Sequence, residues 1–250
     1  MDISQIPSIL DVISKLKSCI RRIKTYKCRQ LFGNDTAKAY HIIYTVYNSP
    51  DRRIVFPKTP PKVSRKHNAI GATNLTTIHS CAITRSVGYL NYVIGKTIGI
   101  PPILSSDEET DENMDLSFLS VGGLTNYKSV DLLEDESNTF LDFNENGEII
   151  SKGPIKRSLN IICNSGYDYG FIIKIHPKNN PRRTWICCAG IGEWGTSGAA
   201  WYLANRWKRF YKFVKKNEFA CITKTKIGSD TSTHPTLKLL KNSNGEIIAG

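Results

Sequence analysis

The sequence has no long hydrophobic run and no complete example of the motifs that mark the commonest enzyme classes. No stretch approaches the roughly 18 consecutive apolar residues of a membrane-spanning helix, and the first residues lack the apolar core of a secretory signal peptide. We therefore expect a cytoplasmic protein with no membrane partner. G-x-x-x-x-G-K-[ST] and G-x-S-x-G are missing, and the G-x-G-x-x-G at 190–195 has no acid in the next predicted strand, 219–226, so an ordinary dehydrogenase, a P-loop NTPase and a triad hydrolase are disfavoured.

The seven cysteines and five histidines show none of the spacings that hold a metal ion. The cysteines are odd in number, include no C-x-x-C pair and lie mostly in apolar runs, which is typical of reduced thiols rather than of a disulfide framework. We expect no metal and no cofactor, so NAD or a nucleotide enters the hypotheses only as a ligand.

The net charge of +12 is distributed unevenly along the chain. Residues 1–104 hold 16 Lys and Arg against 4 Asp and Glu, residues 105–148 hold 1 against 13, and residues 149–250 hold 17 against 5. The densest acidic part, 105–115, has almost no apolar content and predicts a solvated loop. The basic flanks attract polyanions, so they suit either a nucleic-acid-binding surface or a basic cleft for one small anionic ligand.

Hydrophobic periodicity predicts strands that alternate with helices, several of the strands apolar throughout. This pattern indicates an α/β fold of the three-layer, Rossmann-like type, with a mainly parallel sheet and helices on both faces. We assign residues 36–228 to a single domain and residues 229–250 to a C-terminal tail. The predicted strands cover 39–47, 116–121, 169–176, 184–189 and 219–226, and the predicted helices cover 8–30, 77–95, 126–133 and 196–216.

An amphipathic helix is predicted within the N-terminal segment 1–35, because apolar residues recur at helical spacing opposite a lysine- and arginine-rich face. Such a helix usually packs on its own domain, which is the arrangement we expect. A basic amphipathic helix can instead lie on an anionic membrane, but the apolar face has no Trp or Phe stripe, which makes this the minor alternative.

Two glycine turns, each between a predicted strand and a predicted helix, form the candidate ligand site. Helix N-termini expose unpaired N–H groups at the positive end of the helix dipole, and glycines let a ligand approach the backbone closely. In open α/β sheets such turns meet at the carboxyl ends of the strands. The alternative is that these residues only cap helices and allow close helix packing. The candidate ligand-binding residues are Gly122, Gly123, Asn126 and Ser129 in the first turn and Gly192, Thr196 and Ser197 in the second.

Four charged side chains near these turns complete the candidate site. Glu193 is the candidate catalytic residue, because a carboxylate there can bind ribose hydroxyls or stabilise the charge that develops on a sugar when its N-glycosidic bond breaks. A solvated turn residue favoured by the helix dipole is the competing interpretation. Asp168 is a weaker partner, and Arg182 and Arg183 lie in a loop that can clamp a phosphate or carboxylate.

The chain resembles a group of uncharacterised bacterial Rossmann-like proteins in three motifs between residues 39 and 226. These are a strand ending in Gly-Gly with a following Asn at 120–126, an Asp-Tyr-Gly at 168–170 and a Gly-x-x-Gly-Thr helix entry at 192–196. More distantly, the glycine turns are similar to those of TIR domains, nucleoside deoxyribosyltransferases and LOG-like phosphoribohydrolases. Those families cleave or sense N-glycosides such as NAD and nucleotides, so the resemblance implies a role in a bacterial defence or signalling system.

The sequence thus predicts a protein that binds a nucleotide or NAD-like phosphorylated ligand at the strand ends. It leaves open whether the protein is a sensor or an N-glycosidase that uses Glu193. Two other classes stay open, a basic nucleic-acid-binding module and a non-catalytic interaction domain with a protein partner or a second copy of the chain.

Overall fold

The computed structural model describes residues 9–37, 40–45, 47–49, 76–78, 80–144, 147–152, 161, 166–242 and 244–249. Five α-helices and twelve strands form within these residues. The helices are α1 (Ile9–Phe32), α2 (Cys81–Ile98), α3 (Asp107–Thr110), α4 (Tyr127–Glu134) and α5 (Glu193–Val214). The strands are β1 (His41–Tyr44), β2 (Tyr47–Ser49), β3 (Thr76–Ile78), β4 (Ile103–Ser106), β5 (Phe118–Val121), β6 (Leu141–Phe143), β7 (Ile149–Ser151), β8 (Tyr167–Ile175), β9 (Trp185–Gly190), β10 (Phe219–Lys226), β11 (Ser229–Lys241) and β12 (Ile247–Ala249).

Eight of the strands form one mixed sheet in the order β12-β11-β10-β8-β9-β5-β1-β4. Strands β4, β1, β5 and β9 run parallel to one another, whereas β8, β10, β11 and β12 each pair antiparallel. We call the end of the sheet at which the four parallel strands finish its carboxyl end, and the end at which they start its amino end.

Both faces of the sheet are covered, because successive side chains of each strand point to opposite faces. In β9, for example, Ile186 and Cys188 join the core cluster of α1, α2 and α5, whereas Trp185 and Cys187 join the cluster on the other face. That second cluster includes Leu132 of α4 and side chains of the hairpin β6–β7. The mixed α/β class predicted from the sequence is therefore confirmed, whereas the Rossmann-like three-layer arrangement stays a prediction.

The sheet is more antiparallel than predicted, for a physical reason. A strand that is buried on both faces has an apolar sequence whatever the direction of its neighbours, so the pattern of β8 and β10 does not reveal that they run antiparallel. Their central position between β9 and β11 explains their apolar composition.

Two predicted irregular segments are ordered parts of the fold. The predicted C-terminal tail is wrong, because residues 229–249 include β11 and β12, which extend the sheet beyond β10. The predicted acidic loop 105–115 is wrong in its first half. Ser106 caps the short helix α3 in a capping box with Glu109, and Asp107 is buried, while residues 112–115 are exposed.

Helix α1 contacts the domain mainly through its last turns. Cys28, Leu31 and Phe32 are buried, and Thr25 donates a hydrogen bond from Oγ1 to the carbonyl of Thr97 at the end of α2 (3.1 Å). Side chains from residue 12 to residue 24 are exposed. Within the described part of the chain, no helix has the length and apolar composition needed to cross a bilayer.

Candidate functional site

The first glycine turn lies at the carboxyl end of the sheet, at the point where strand order reverses. From β1 the chain proceeds through α2 to β4 on one side, and β5 then pairs on the other side of β1. Ligands of open α/β sheets usually occupy this crevice. Here Asn126 fills it, because its Nδ2 donates to the carbonyls of Ile43 in β1 (3.4 Å) and Val121 in β5 (3.2 Å).

The other residues of this turn are also used inside the protein. Asn126 caps α4, since its Oδ1 accepts a hydrogen bond from the backbone N–H of Ser129 (3.2 Å). The Ser129 hydroxyl donates to the carbonyl of Gly122 (2.7 Å) and lies 2.9 Å from the Ser120 hydroxyl. Gly122 has a φ of 116°, which favours glycine, and a Cβ at Gly123 would lie 3.2 Å from the Phe143 ring. The turn is therefore a tightly packed structural element.

The second turn begins α5, and a carboxylate of the protein occupies the place expected for a ligand anion. Asp168, at the start of β8 and almost fully buried, accepts hydrogen bonds from the backbone N–H groups of Gly192 (3.1 Å) and Gly195 (2.7 Å). It thereby supplies both the hydrogen-bond acceptor and the negative charge that a helix N-terminus attracts. Thr196 donates its hydroxyl back to the carbonyl of Gly192 (3.2 Å).

The start of α4 is neutralised in the same way by a residue of the acidic segment. Asp107 is buried, and its Oδ2 accepts a hydrogen bond from the backbone N–H of Tyr127 (3.2 Å). Glu193, the candidate catalytic residue, is exposed at the first position of α5. With Asp168 and Asp230 also at this edge, the carboxyl end of the sheet carries several carboxylates, which oppose the binding of a phosphate.

Ser197 belongs to a polar network that joins α2, α5 and β11. Its hydroxyl donates to Asp230 Oδ1 (2.5 Å) and accepts a hydrogen bond from Arg85 Nη2 (3.0 Å). Asp230 also receives hydrogen bonds from Arg85 Nε and the Tyr89 hydroxyl, each at 3.0 Å. The Arg85 guanidinium lies 4.3 Å from the ring centroid of Trp194. Burial and the bond to Asp230 raise the pKa of Tyr89. This network stabilises the packing of the two helices.

The structure separates the two arginines from the glycine turns. Arg182 and Arg183 precede β9, whereas Gly192 follows it, so they lie at opposite ends of a strand about 20 Å long. Arg183 is engaged in ion pairs with Asp35 (3.0 Å) and Asp115 (2.8 Å), which hold its pKa above the usual value. Arg182 is exposed and makes no ion pair within the described residues. The sequence-predicted residues thus form two groups rather than one site.

A basic cavity at the amino end of the sheet is the better candidate site. It has a volume of about 740 Å³, within the usual range for small-molecule sites, and the described residues that line it include five cationic side chains and no Asp or Glu. The ends of α1, β8 and α5 and the loop before β9 meet here. The lining residues are Tyr26, Arg29, Gln30, Gly33, Asn34, Lys174, His176, Pro181, Arg182, Thr184, Tyr211, Lys215 and Lys216.

Lys174 lies buried at the bottom of this cavity. Its side chain comes from β8, is 1% exposed, and its ammonium donates to the carbonyls of Gln30 (2.9 Å) and Lys216 (3.1 Å) near the ends of α1 and α5. Burial lowers the pKa of Lys174 to about 7, although the nearby carboxylate of Glu218 acts in the opposite direction. That carboxylate is already paired with Lys241 at 2.9 Å.

Two other cations of the cavity are held in energetically unfavourable states. Within the described residues, the Nε atom of Arg29 is buried without a hydrogen-bond partner, which costs about 1–3 kcal/mol for a buried polar group. Lys215, which directly follows α5, has φ 50° and ψ −121°, and it is the single non-glycine residue with positive φ in the described part of the chain. Glycine adopts such a conformation at less cost.

Sequence reasoning included Arg182 but missed the rest of this cavity. Lys174 had a signal, since it is a lysine inside the otherwise apolar run Phe171–Ile175, and a charge in such a run is buried and held by specific partners. No such sequence signal marks Arg29 or Lys215, because each lies among several other lysines and arginines in or next to a helix. Only the packing of α1 beside α5 brings them together.

The stability of the protein should depend on pH through Lys174. Because the pKa of Lys174 is lower in the folded state than the ordinary value of 10.5, the unfolded chain binds more protons above pH 7, so stability rises with pH from there. We expect this contribution to approach about 1.4 kcal/mol per pH unit between pH 7 and 8.5 and to be absent in Lys174→Met.

Urea unfolding of both proteins at several pH values measures this contribution as the difference between two profiles. The range stops below pH 9 because burial raises the pKa of Cys187 to about 11 and of Cys221 to about 12, so these thiols destabilise the fold as they ionise in the unfolded chain. Parallel profiles for wild type and Lys174→Met would show that Lys174 keeps an ordinary pKa.

No protein family, no curated protein and no solved structure gives a significant match to this chain. The resemblance to Rossmann-like nucleotide-processing families therefore stays a prediction, and the function has to be argued from the site itself.

Proposed function

We propose that this protein binds a small phosphorylated ligand, of the nucleotide or NAD-like class, in the basic cavity at the amino end of the sheet. The observation that carries the proposal is the concentration of Arg29, Lys174, Arg182, Lys215 and Lys216 around one cavity, with no carboxylate among the lining residues that the structure describes. Cations that face one another repel, and a polyanion removes this repulsion while satisfying their N–H donors.

The composition of the lining favours a nucleotide over a simple inorganic anion. Tyr26, Tyr211 and His176 supply aromatic rings on which a base can stack, and Gln30 and Asn34 supply amide groups that recognise hydrogen-bonding edges. Arginine forms bidentate hydrogen bonds with phosphate, which is the geometry expected of Arg29 and Arg182. The whole set therefore matches a ligand with both an aromatic ring and phosphate groups.

Binding without turnover fits this cavity better than N-glycosidase activity. The cleavage of an N-glycosidic bond needs a carboxylate beside the sugar, and the described part of the chain places none in the cavity lining. Glu193 begins α5 and Lys215 directly follows it, so the two lie at opposite ends of a 22-residue helix about 33 Å long. Glu193 therefore cannot reach a ligand held by Lys215, and a sensor is the form of the proposal that we favour.

Equilibrium binding to a small panel of compounds tests the proposal. We expect ATP, NAD and inorganic pyrophosphate to raise the midpoint of thermal unfolding in proportion to their occupancy, because they bind only the folded state, and neutral adenosine to have little effect. Isothermal titration calorimetry gives the affinities, which should fall as salt is added. Mass spectrometry of the mixtures is expected to return every compound intact.

The same panel contains the results that contradict the proposal. Equal stabilisation by adenosine and ATP would mean that phosphate is not recognised. If no anion stabilises the protein at low salt, the cations only interact with the carbonyl groups and dipoles at the helix ends. Release of nicotinamide or free base from wild type, abolished in Glu193→Gln, would move the function back to the carboxyl end of the sheet.

A further inference from the structure

The exposed half of α1 carries a continuous apolar stripe. Its five aliphatic side chains are between 42% and 59% exposed, and they recur at the three- and four-residue intervals that place side chains on one face of a helix. From first to last the stripe is about 17 Å long. The residues of the stripe are Val12, Ile13, Leu16, Ile20 and Ile23.

This stripe lies outside the turns by which α1 packs on the domain. Three of the packed residues, Thr25, Cys28 and Phe32, point roughly 140° away from the centre of the stripe at 100° per residue, whereas the buried Leu31 of the last turn lies on the side of the stripe. The stripe precedes these packed residues along the helix and stays exposed. Among the residues that the structure describes, none covers it.

The charge of α1 decides which surface fits. The helix carries seven cations and one acid, Asp11. If two copies paired through the stripe, the two helices would bring together fourteen cations and two acids, and this excess of like charge opposes pairing. Nucleic acid satisfies the cations but leaves the aliphatic side chains in water. An anionic lipid surface satisfies both, because acyl chains accept the stripe while headgroups accept the cations.

We infer that α1 docks this protein reversibly on anionic membranes, with the stripe inserted at the boundary between headgroups and acyl chains. The sequence alone favoured packing of this helix on the domain. The structure shows that packing at the last turns of α1 and leaves the stripe exposed.

Vesicle flotation of the full chain tests the inference. We expect the wild type to float with vesicles of phosphatidylcholine and phosphatidylglycerol in equal parts, and to stay behind with phosphatidylcholine alone. The variant Leu16→Gln with Ile20→Gln should lower the bound fraction at least about tenfold, because two inserted side chains are lost while the charge is unchanged. Glutamine keeps helix propensity, so circular dichroism should not change.

A matched control is Ile227→Gln, which removes an aliphatic side chain that is 51% exposed between β10 and β11, far along the chain from α1. It should bind vesicles like the wild type. Equal binding to both kinds of vesicle, or equal loss in the Ile227→Gln control, overturns the inference. Two further results overturn it. One is a wild-type dimer that does not bind vesicles and that the α1 variant converts to a monomer. The other is binding of single-stranded RNA by a wild type that does not bind vesicles.

Discussion

Gly195→Ala is expected to lower the free energy of unfolding by about 3 kcal/mol or more, enough to unfold a domain of ordinary stability. A Cβ at Gly195 would lie 2.2 Å from the carbonyl oxygen of Tyr169 in β8, and backbone cannot rotate away as a side chain can. The same shift would break the hydrogen bond from Gly195 to Asp168 (2.7 Å), which caps α5. Urea unfolding followed by circular dichroism measures the loss.

Gly88→Ala is the matched control for this prediction. Gly88 lies in α2 with nothing within 4 Å of the position of a Cβ, so alanine there should raise stability by about 0.5–1 kcal/mol through its better helix propensity. If Gly195→Ala is as stable as Gly88→Ala, the close approach of α5 to β8 is wrong, and so is the argument that Asp168 fills the helix N-terminus.

The combined variant Arg29→Gln with Lys215→Gly is expected to lower the affinity for ATP or pyrophosphate by about a hundredfold, and each single change by about tenfold. These factors follow from the loss of one charge-assisted hydrogen bond to phosphate per residue. Isothermal titration calorimetry at constant salt gives the affinities. Lys208→Ala, which removes an exposed charge of α5 outside the cavity lining, is the control. It should reduce the affinity by no more than about threefold.

Lys215→Gly has a second readout that a purely structural lysine would not give. Because the backbone of Lys215 has a positive φ, glycine should stabilise the fold by about 1 kcal/mol while it weakens the ligand complex. A variant that is more stable and binds less well assigns the lysine to ligand binding. A variant with unchanged affinity removes Lys215 from the site, and unchanged affinity in Arg29→Gln as well would exclude the cavity.

Much of the fold could be predicted from the sequence because burial leaves a local pattern. The apolar runs of β5, β9 and β10, the cap at Ser80 before α2 and the cap at Asn126 before α4 are all readable from consecutive residues. The prediction that Gly122 and Gly192 lie in turns at one edge of the sheet also agrees with the strand order. Such features depend on contacts within a few residues of the chain.

Residues that are neighbours in sequence do not reveal whether these turns bind a ligand. A helix N-terminus needs an acceptor, and the sequence does not say whether a ligand or a distant side chain provides it. Asp168 precedes Gly192 by 24 residues and reaches it only because β8 pairs antiparallel with β9. The same limit applies to Arg182, whose position at the amino end depends on the direction of β9.

The sequence by itself determined the α/β class, most helix and strand positions, the basic and amphipathic character of α1, and the presence of glycines at two chain reversals, because each of these is encoded over short stretches. Only the tertiary structure decided which charges meet. Strand direction and the packing of α1 beside α5 place Asp168 at the N-terminus of α5 and gather five cationic side chains around the cavity at the amino end, and our proposal of a phosphorylated ligand rests on that cavity.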